Sequence, residues 1–193
     1  MRGMLLLGAA ALTMAAPAWA GEKGELACRQ NSYTAEQKTQ IDGLLAKVNI
    51  LGEGEDPAMD AMGILVLGAA EGCMTRFEWT DTEIEPALLY EFGRLMEVGF
   101  LRHGKLSANE IAQVDAALGR GDRTALWAAL EAQLAQGMGG DTETVSDENA
   151  AVFGLFIMET GLPLDEAKGE QVGVYLAAKA MQRASLRQFT AAK

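Results

Sequence analysis

Apolar residues recur every three to four positions along most of this chain, which is the spacing of amphipathic helices. Short polar or glycine-containing connections separate these stretches, and no stretch alternates apolar and polar residues as a strand would. We therefore predict an all-α fold, a single compact bundle of six or seven helices that follows a cleaved signal peptide.

Capping signals predict where several of these helices begin. Thr34 to Gln37 fits a capping box ahead of the apolar positions in residues 41–51, and Ser107 to Glu110 fits a second one. Asp56 followed by Pro57 indicates an N-cap and a first helical residue, and the helix then covers about residues 58–74. These patterns fix helix starts by local hydrogen bonding alone.

The remaining helix boundaries are predicted from polar residues, glycine and proline, which begin or end helices. A long helix begins between residues 82 and 86 and ends near His103, and the helix after Ser107 stops at Gly119. Further helices cover residues 123–136, 147–160 and about 166–189, the last of them opened by Asp165. Residues 137–145 form the predicted flexible linker.

The N-terminal segment has the pattern of a secretory signal peptide. Arg2 precedes the uncharged, largely apolar residues 4–16, and Ala18-Trp19-Ala20 places small residues on either side of one position. We predict cleavage after residue 20, a single helical domain at residues 21–193, and a periplasmic or secreted bacterial protein. The longest internal apolar run, residues 62–70, is too short to span a bilayer, so no transmembrane segment is predicted in the mature chain.

The chain has two cysteines, Cys28 and Cys73. In an exported protein two cysteines most simply form an intramolecular disulfide, although free buried thiols or pairing between chains remain alternatives. The combination of leader, helical chain and two distant cysteines resembles the small periplasmic acid-stress chaperones. This chain is much longer, so no residue role is carried over.

The formal net charge of −11 becomes one unit more negative when Arg2 leaves with the leader. This excludes most nucleic-acid binders, which need clustered lysine and arginine for phosphate contacts. His103 is the sole histidine, and the motifs of di-metal, structural zinc, serine hydrolase and nucleotide-binding sites are missing from the sequence. We therefore predict no catalytic residue, cofactor or metal ligand, and we favour a non-enzymatic protein over an enzyme.

Three glutamates lie in apolar surroundings, where burial can raise the pKa of a carboxyl group and so create a general acid or base. Glu71 shares a helix stripe with Asp60, Glu97 has Arg94 one turn earlier, and Glu159 lies at a helix end. Each position favours a solvated or structural role.

The charge is unevenly distributed along the chain. All 27 acidic residues lie at or before Glu170, whereas Lys179, Arg183 and Arg187 follow it at intervals of four residues and form one stripe. The stripe predicts either an internal contact with the acidic body or a surface for an acidic partner or anionic lipid. We take partner binding by these three residues as the functional hypothesis.

The apolar helix at residues 58–74 predicts a central core element. Its apolar residues surround the helix, so Ile64, Leu65 and Leu67 are expected to be nearly inaccessible. The rival interpretation is the wall of an apolar ligand cavity, with Met59, Met62 and Met74 as flexible lining.

The sequence thus favours a secreted or periplasmic non-enzymatic interaction protein, such as an adaptor, inhibitor or chaperone-like module that binds a protein partner. The alternative is a carrier of an apolar small molecule between its helices. Oligomeric state is not predicted.

Overall fold

A computed structural model describes residues 18–48, 56–138, 145–163 and 165–193 of the chain. Within these ranges the protein is all-helical, with no strand, which confirms the predicted fold class. Eight helices are described rather than six or seven: α1 (Ala18–Ser32), α2 (Ala35–Leu45), α3 (Pro57–Phe77), α4 (Asp81–His103), α5 (Ala108–Leu118), α6 (Thr124–Met138), α7 (Asp147–Thr160) and α8 (Glu166–Ala192). Most of the predicted leader, and residues 139–144 of the predicted linker, lie outside the described residues.

The predicted caps form as hydrogen bonds at the helix starts. Thr34 and Gln37 exchange the two bonds of a capping box, as do Ser107 and Glu110. At α3 the Asp56 carboxylate accepts the backbone N–H of Ala58 at 2.8 Å. These side chains satisfy backbone donors that an isolated helix end would leave unpaired.

The N-terminal helix and the start of α4 differ from the prediction. Helix α1 was not predicted, and it crosses the predicted cleavage position after Ala20. Helix α4 begins at Asp81, before the predicted range, because Thr80 and Glu83 form a further capping box. Pro86 therefore lies inside the helix, in its second turn, where a proline removes a single backbone hydrogen bond close to the helix end.

Helix α8 contributes buried side chains to each of three hydrophobic clusters in the described residues. Tyr175 and neighbouring residues pack with α5, α6 and α7, Ala178 packs with α2, α3 and α4, and Phe189 packs beside Leu26 and Trp79. The backbones of α4 and α8 approach closely, since a Cβ at Gly93 would lie 2.9 Å from the Ala178 carbonyl oxygen. Glycine at that position is what the close packing requires.

Helix α3 buries one side only, which corrects the predicted burial of its apolar residues. Ile64 is 74% exposed and Leu67 is 50% exposed, so the prediction that both are inaccessible is wrong. Leu65 is half-buried. The buried side, represented by Met62 and Val66, faces the neighbouring helices. Helix α3 therefore carries apolar side chains on sides that the neighbouring helices do not cover.

Among the described helices, α3 alone is long and apolar enough to cross a membrane. Only 28% of its most apolar window is buried in the protein. Length and composition of one such helix are weak evidence for a span, because core helices of soluble proteins have the same properties. No firm transmembrane segment is therefore assigned in the described part of the chain.

Candidate functional site

The predicted disulfide between Cys28 and Cys73 is confirmed. Their sulfur atoms lie 2.09 Å apart and their Cα atoms 6.0 Å apart, within the range that a disulfide requires. The bond joins α1 to α3 beside the buried side chains of Leu26 and Trp79. It therefore attaches the N-terminal helix covalently to the body of the protein.

The predicted basic stripe lines a surface cleft between α4 and α8. The cleft has a volume of about 480 Å³, and its cationic lining residues are Lys179, Arg183 and Arg187. Tyr90 and Glu97 contribute from α4, and Gln182 and Leu186 contribute from α8. The four-residue spacing in the sequence thus brings all three predicted residues to one concave surface, which we call the basic cleft.

Lys179 is the innermost member of the basic cleft. Its ammonium group donates to Glu97 at 2.8 Å, lies 3.5 Å from Asp115, and lies 4.6 Å from the centre of the Tyr175 ring. Burial is the largest single influence and works against its positive charge, but the hydrogen bonds and charge interactions with Glu97 and Tyr175 together outweigh burial and raise the pKa of Lys179. Lys179 is therefore charged and bound within the protein.

Arg187 and Arg183 form the exposed part of the basic cleft. Arg187 makes two hydrogen bonds to Glu131, at 2.5 and 2.9 Å, while 59% of its side chain remains exposed. The hydrogen bonds that Arg187 donates to Glu131 raise the pKa of Arg187. Arg183 lies 5.3 Å from the Trp127 ring centre, and no carboxylate of the described residues lies within ion-pair distance of it. Its charge is held by an aromatic face and is directed to solvent.

A second concave site is an apolar groove of about 690 Å³ bounded by α6, α7, α8 and the start of α3. Its apolar lining side chains include Met59, Leu130, Leu134, Phe153, Ile157 and Leu176. Among the described residues that line it, Gln133 alone has a polar side chain and none is ionisable. Its volume falls in the range of about 300–1,000 Å³ that is typical of small-molecule sites.

Sequence reasoning named Met59 as possible lining but did not find this apolar groove. Gly173 and Gly137 also line it, and both are small residues inside helices whose neighbouring faces carry large apolar side chains. That combination is the available sequence signal. It is ambiguous, because small residues equally allow helices to pack closely, as Gly93 does.

Each side chain considered for acid–base chemistry has a different environment in the structure. Glu97 is bound by Lys179, Glu159 accepts a hydrogen bond from Arg123 at 2.5 Å, and Glu71 is exposed on α3. His103 lies 3.9 Å from Asp42, at the opposite end of α4 from its capping box. The described residues contain no group of three or more metal-ligating side chains.

A buried arginine is a feature that sequence reasoning missed. Arg29 in α1 is fully buried, and its three side-chain nitrogens have no hydrogen-bond partner among the described residues. It lies 5.7 Å from the Trp79 ring centre. Burial lowers the pKa of Arg29 to about 10, opposed by the negative charge of Glu91. The desolvated charge makes the docking of α1 less favourable, which the adjacent Cys28 disulfide offsets.

Comparison with known proteins gives no match to this chain among protein-family models, curated proteins or solved structures.

Proposed function

We propose that this is a periplasmic or secreted, non-enzymatic interaction protein that binds an acidic segment of a partner protein in the basic cleft. The observation that carries the proposal is the exposure of Arg183 and Arg187 side by side in a concave site. The whole chain carries a formal net charge of −11, so this cleft is a local exception. The leader pattern and the disulfide support the compartment.

The basic cleft offers both charge and apolar contact. Arg183 is positioned by Trp127, and Arg187 presents the planar guanidinium that suits a carboxylate. Tyr90 and Leu186 line the same cleft and supply aromatic and apolar surface for an adjacent side chain. An incoming carboxylate of the partner competes with Glu131 for Arg187. We therefore expect the partner to bind reversibly. This combination fits an adaptor, inhibitor or chaperone-like module.

The test compares partner recovery from a periplasmic extract on immobilised wild-type protein and the double variant Arg183→Gln/Arg187→Gln. The matched control is Lys38→Gln/Lys47→Gln, which removes two exposed positive charges from the α2 region. We expect the Arg variant to lose a specific protein that the control and wild type recover, with recovery by the wild type falling as salt is added. Equal recovery on all three proteins would reject the binding face. So would a collapsed thermal melt of the Arg variant.

A second candidate function, carriage of an apolar small molecule, is favoured by the apolar groove. The described residues that line it are uncharged, and its volume suits a small ligand. The test is organic extraction of protein purified from its native compartment, followed by mass spectrometry. We expect the wild-type protein to release an apolar compound in a stoichiometric amount. The compound should be missing from the extract of a variant in which a larger side chain fills the groove.

A further inference from the structure

We infer that the apolar groove takes an uncharged apolar molecule with one polar group, and that this group hydrogen-bonds the side-chain amide of Gln133. The inference rests on the proposed carrier function and specifies its ligand class. It draws on three properties of the groove, which are its lining, its single amide and the open space at one glycine.

The described lining offers no partner for a charged ligand group. All of the described lining residues are apolar, glycine or alanine except Gln133, so a charged headgroup inside the groove would lose water without gaining an opposite charge. Such an uncompensated charge is disfavoured strongly, whereas a hydrocarbon chain gains from leaving water. The volume of about 690 Å³ accommodates a drug-sized molecule or a medium-length alkyl chain.

Gln133 specifies the polar group of the ligand. Its side chain is half-buried and has no hydrogen-bond partner among the described residues. An amide both donates and accepts, so it can pair with a hydroxyl, a carbonyl or another amide. Pairing there restores the bonds that a half-buried amide loses when a ligand displaces water.

Gly173 provides a way to fill the groove without disturbing the fold. A Cβ at this lining position would meet no atom within 4 Å, so a larger side chain has room to enter the groove. Leucine is also a better helix former than glycine, which favours a folded variant. Gly154 on α7 has the same free space and does not line the groove, so Gly154→Leu is the matched control.

The experiment measures binding of four probes with the same alkyl chain to the full mature protein by calorimetry at pH 7. The probes are dodecanol, dodecane, dodecanoate and dodecyltrimethylammonium. We expect dodecanol to bind best and each charged probe to bind at least about tenfold more weakly. Removing an unpaired charge from water costs more free energy than a tenfold difference in affinity represents. Gly173→Leu should abolish binding of dodecanol, and Gly154→Leu should retain it.

A further variant tests the role of the amide. Gln133→Leu should weaken dodecanol about fivefold, the usual effect of one neutral hydrogen bond, and leave dodecane unchanged. Equal losses for both probes would overturn the assignment of Gln133.

The outcomes separate the ligand class from the carrier function. Failure of all four probes to bind would reject the carrier function together with the inference. Binding of charged probes as tight as that of dodecanol would reject the ligand class alone and leave carriage intact. Binding that survives Gly173→Leu would locate any bound probe outside this groove and overturn the inference.

Discussion

Lys179 on α8 donates a hydrogen bond to Glu97 on α4 at 2.8 Å, across the interface where the backbones of these two helices pack closely at Gly93. Gln182 donates to the other oxygen of the same carboxylate at 2.7 Å. Glu97 is thereby satisfied by two side chains from one helix. One of the three stripe residues therefore belongs to the polar network that joins α4 to α8.

This arrangement predicts unequal effects within the stripe. Lys179→Gln should lower the free energy of unfolding by about 1–3 kcal/mol, since it leaves the half-buried Glu97 carboxylate with reduced compensation. Arg183→Gln should lower it by less than about 1 kcal/mol, as expected for an exposed cation. Urea denaturation of both variants provides the measurement. Equal small losses would show that the Lys179–Glu97 pair contributes little.

The disulfide predicts a large dependence of stability on oxidation. Closing a loop of 45 residues corresponds to about 4 kcal/mol in the chain-entropy model. Cys28→Ser/Cys73→Ser should therefore be less stable than oxidised wild type and close in stability to reduced wild type. Chemical denaturation with and without reductant tests this, and an intact mass with two free thiols in exported protein would contradict the bond itself.

The two sides of α3 predict opposite responses to truncation. Met62→Ala, at a fully buried position, should cost about 2–5 kcal/mol, whereas Leu67→Ala should cost less than about 1 kcal/mol because Leu67 is half exposed to water. The pair is a matched comparison within one helix. Denaturant midpoints that shift equally would mean that α3 is covered on both sides in solution.

Glu110 predicts a loss of stability in acid. Hydrogen bonds from Lys168 and from the Ser107 backbone lower the pKa of Glu110 to about 2. A lowered folded-state pKa stabilises the protein above the unfolded pKa, and the contribution disappears as pH falls toward 2. The melting temperature of Glu110→Gln should therefore lie below that of wild type at pH 7, and the two should converge near pH 2.

The partner residue provides a control for the acid response. Lys168→Gln removes the hydrogen bond that Lys168 Nζ donates to Glu110 at 2.6 Å. The fall in melting temperature between pH 7 and pH 2 should therefore be smaller for Lys168→Gln than for wild type. A constant offset between Glu110→Gln and wild type at all pH values would contradict the assigned cause.

The sequence was sufficient for features that depend on neighbouring residues. The capping boxes at Thr34 and Ser107 formed as predicted because all of their atoms belong to a few consecutive residues. It was insufficient for α1, whose polar pattern has little periodicity and whose buried residues include Arg29. That helix depends on Trp79 and on the disulfide, which are distant in the chain.

The same distinction applies to the candidate sites. Four-residue spacing correctly brought Lys179, Arg183 and Arg187 together, since helix geometry determines it. Which carboxylates they meet depends on how α4 and α6 pack against α8, and no local pattern contains that information. The exposure of Ile64 has the same origin, because burial on α3 is decided by the coverage that other helices provide.

The placement of α8 in all three hydrophobic clusters has a consequence for the order of assembly. Residues of α8 complete clusters whose other members lie as far back as Leu26, so none of the three can close before the last helix has been synthesised. Long-range contacts of this kind slow folding, because distant segments must meet before their burial is rewarded. Completion of all three clusters therefore waits for α8, so the final burial of their apolar side chains follows the synthesis of that helix.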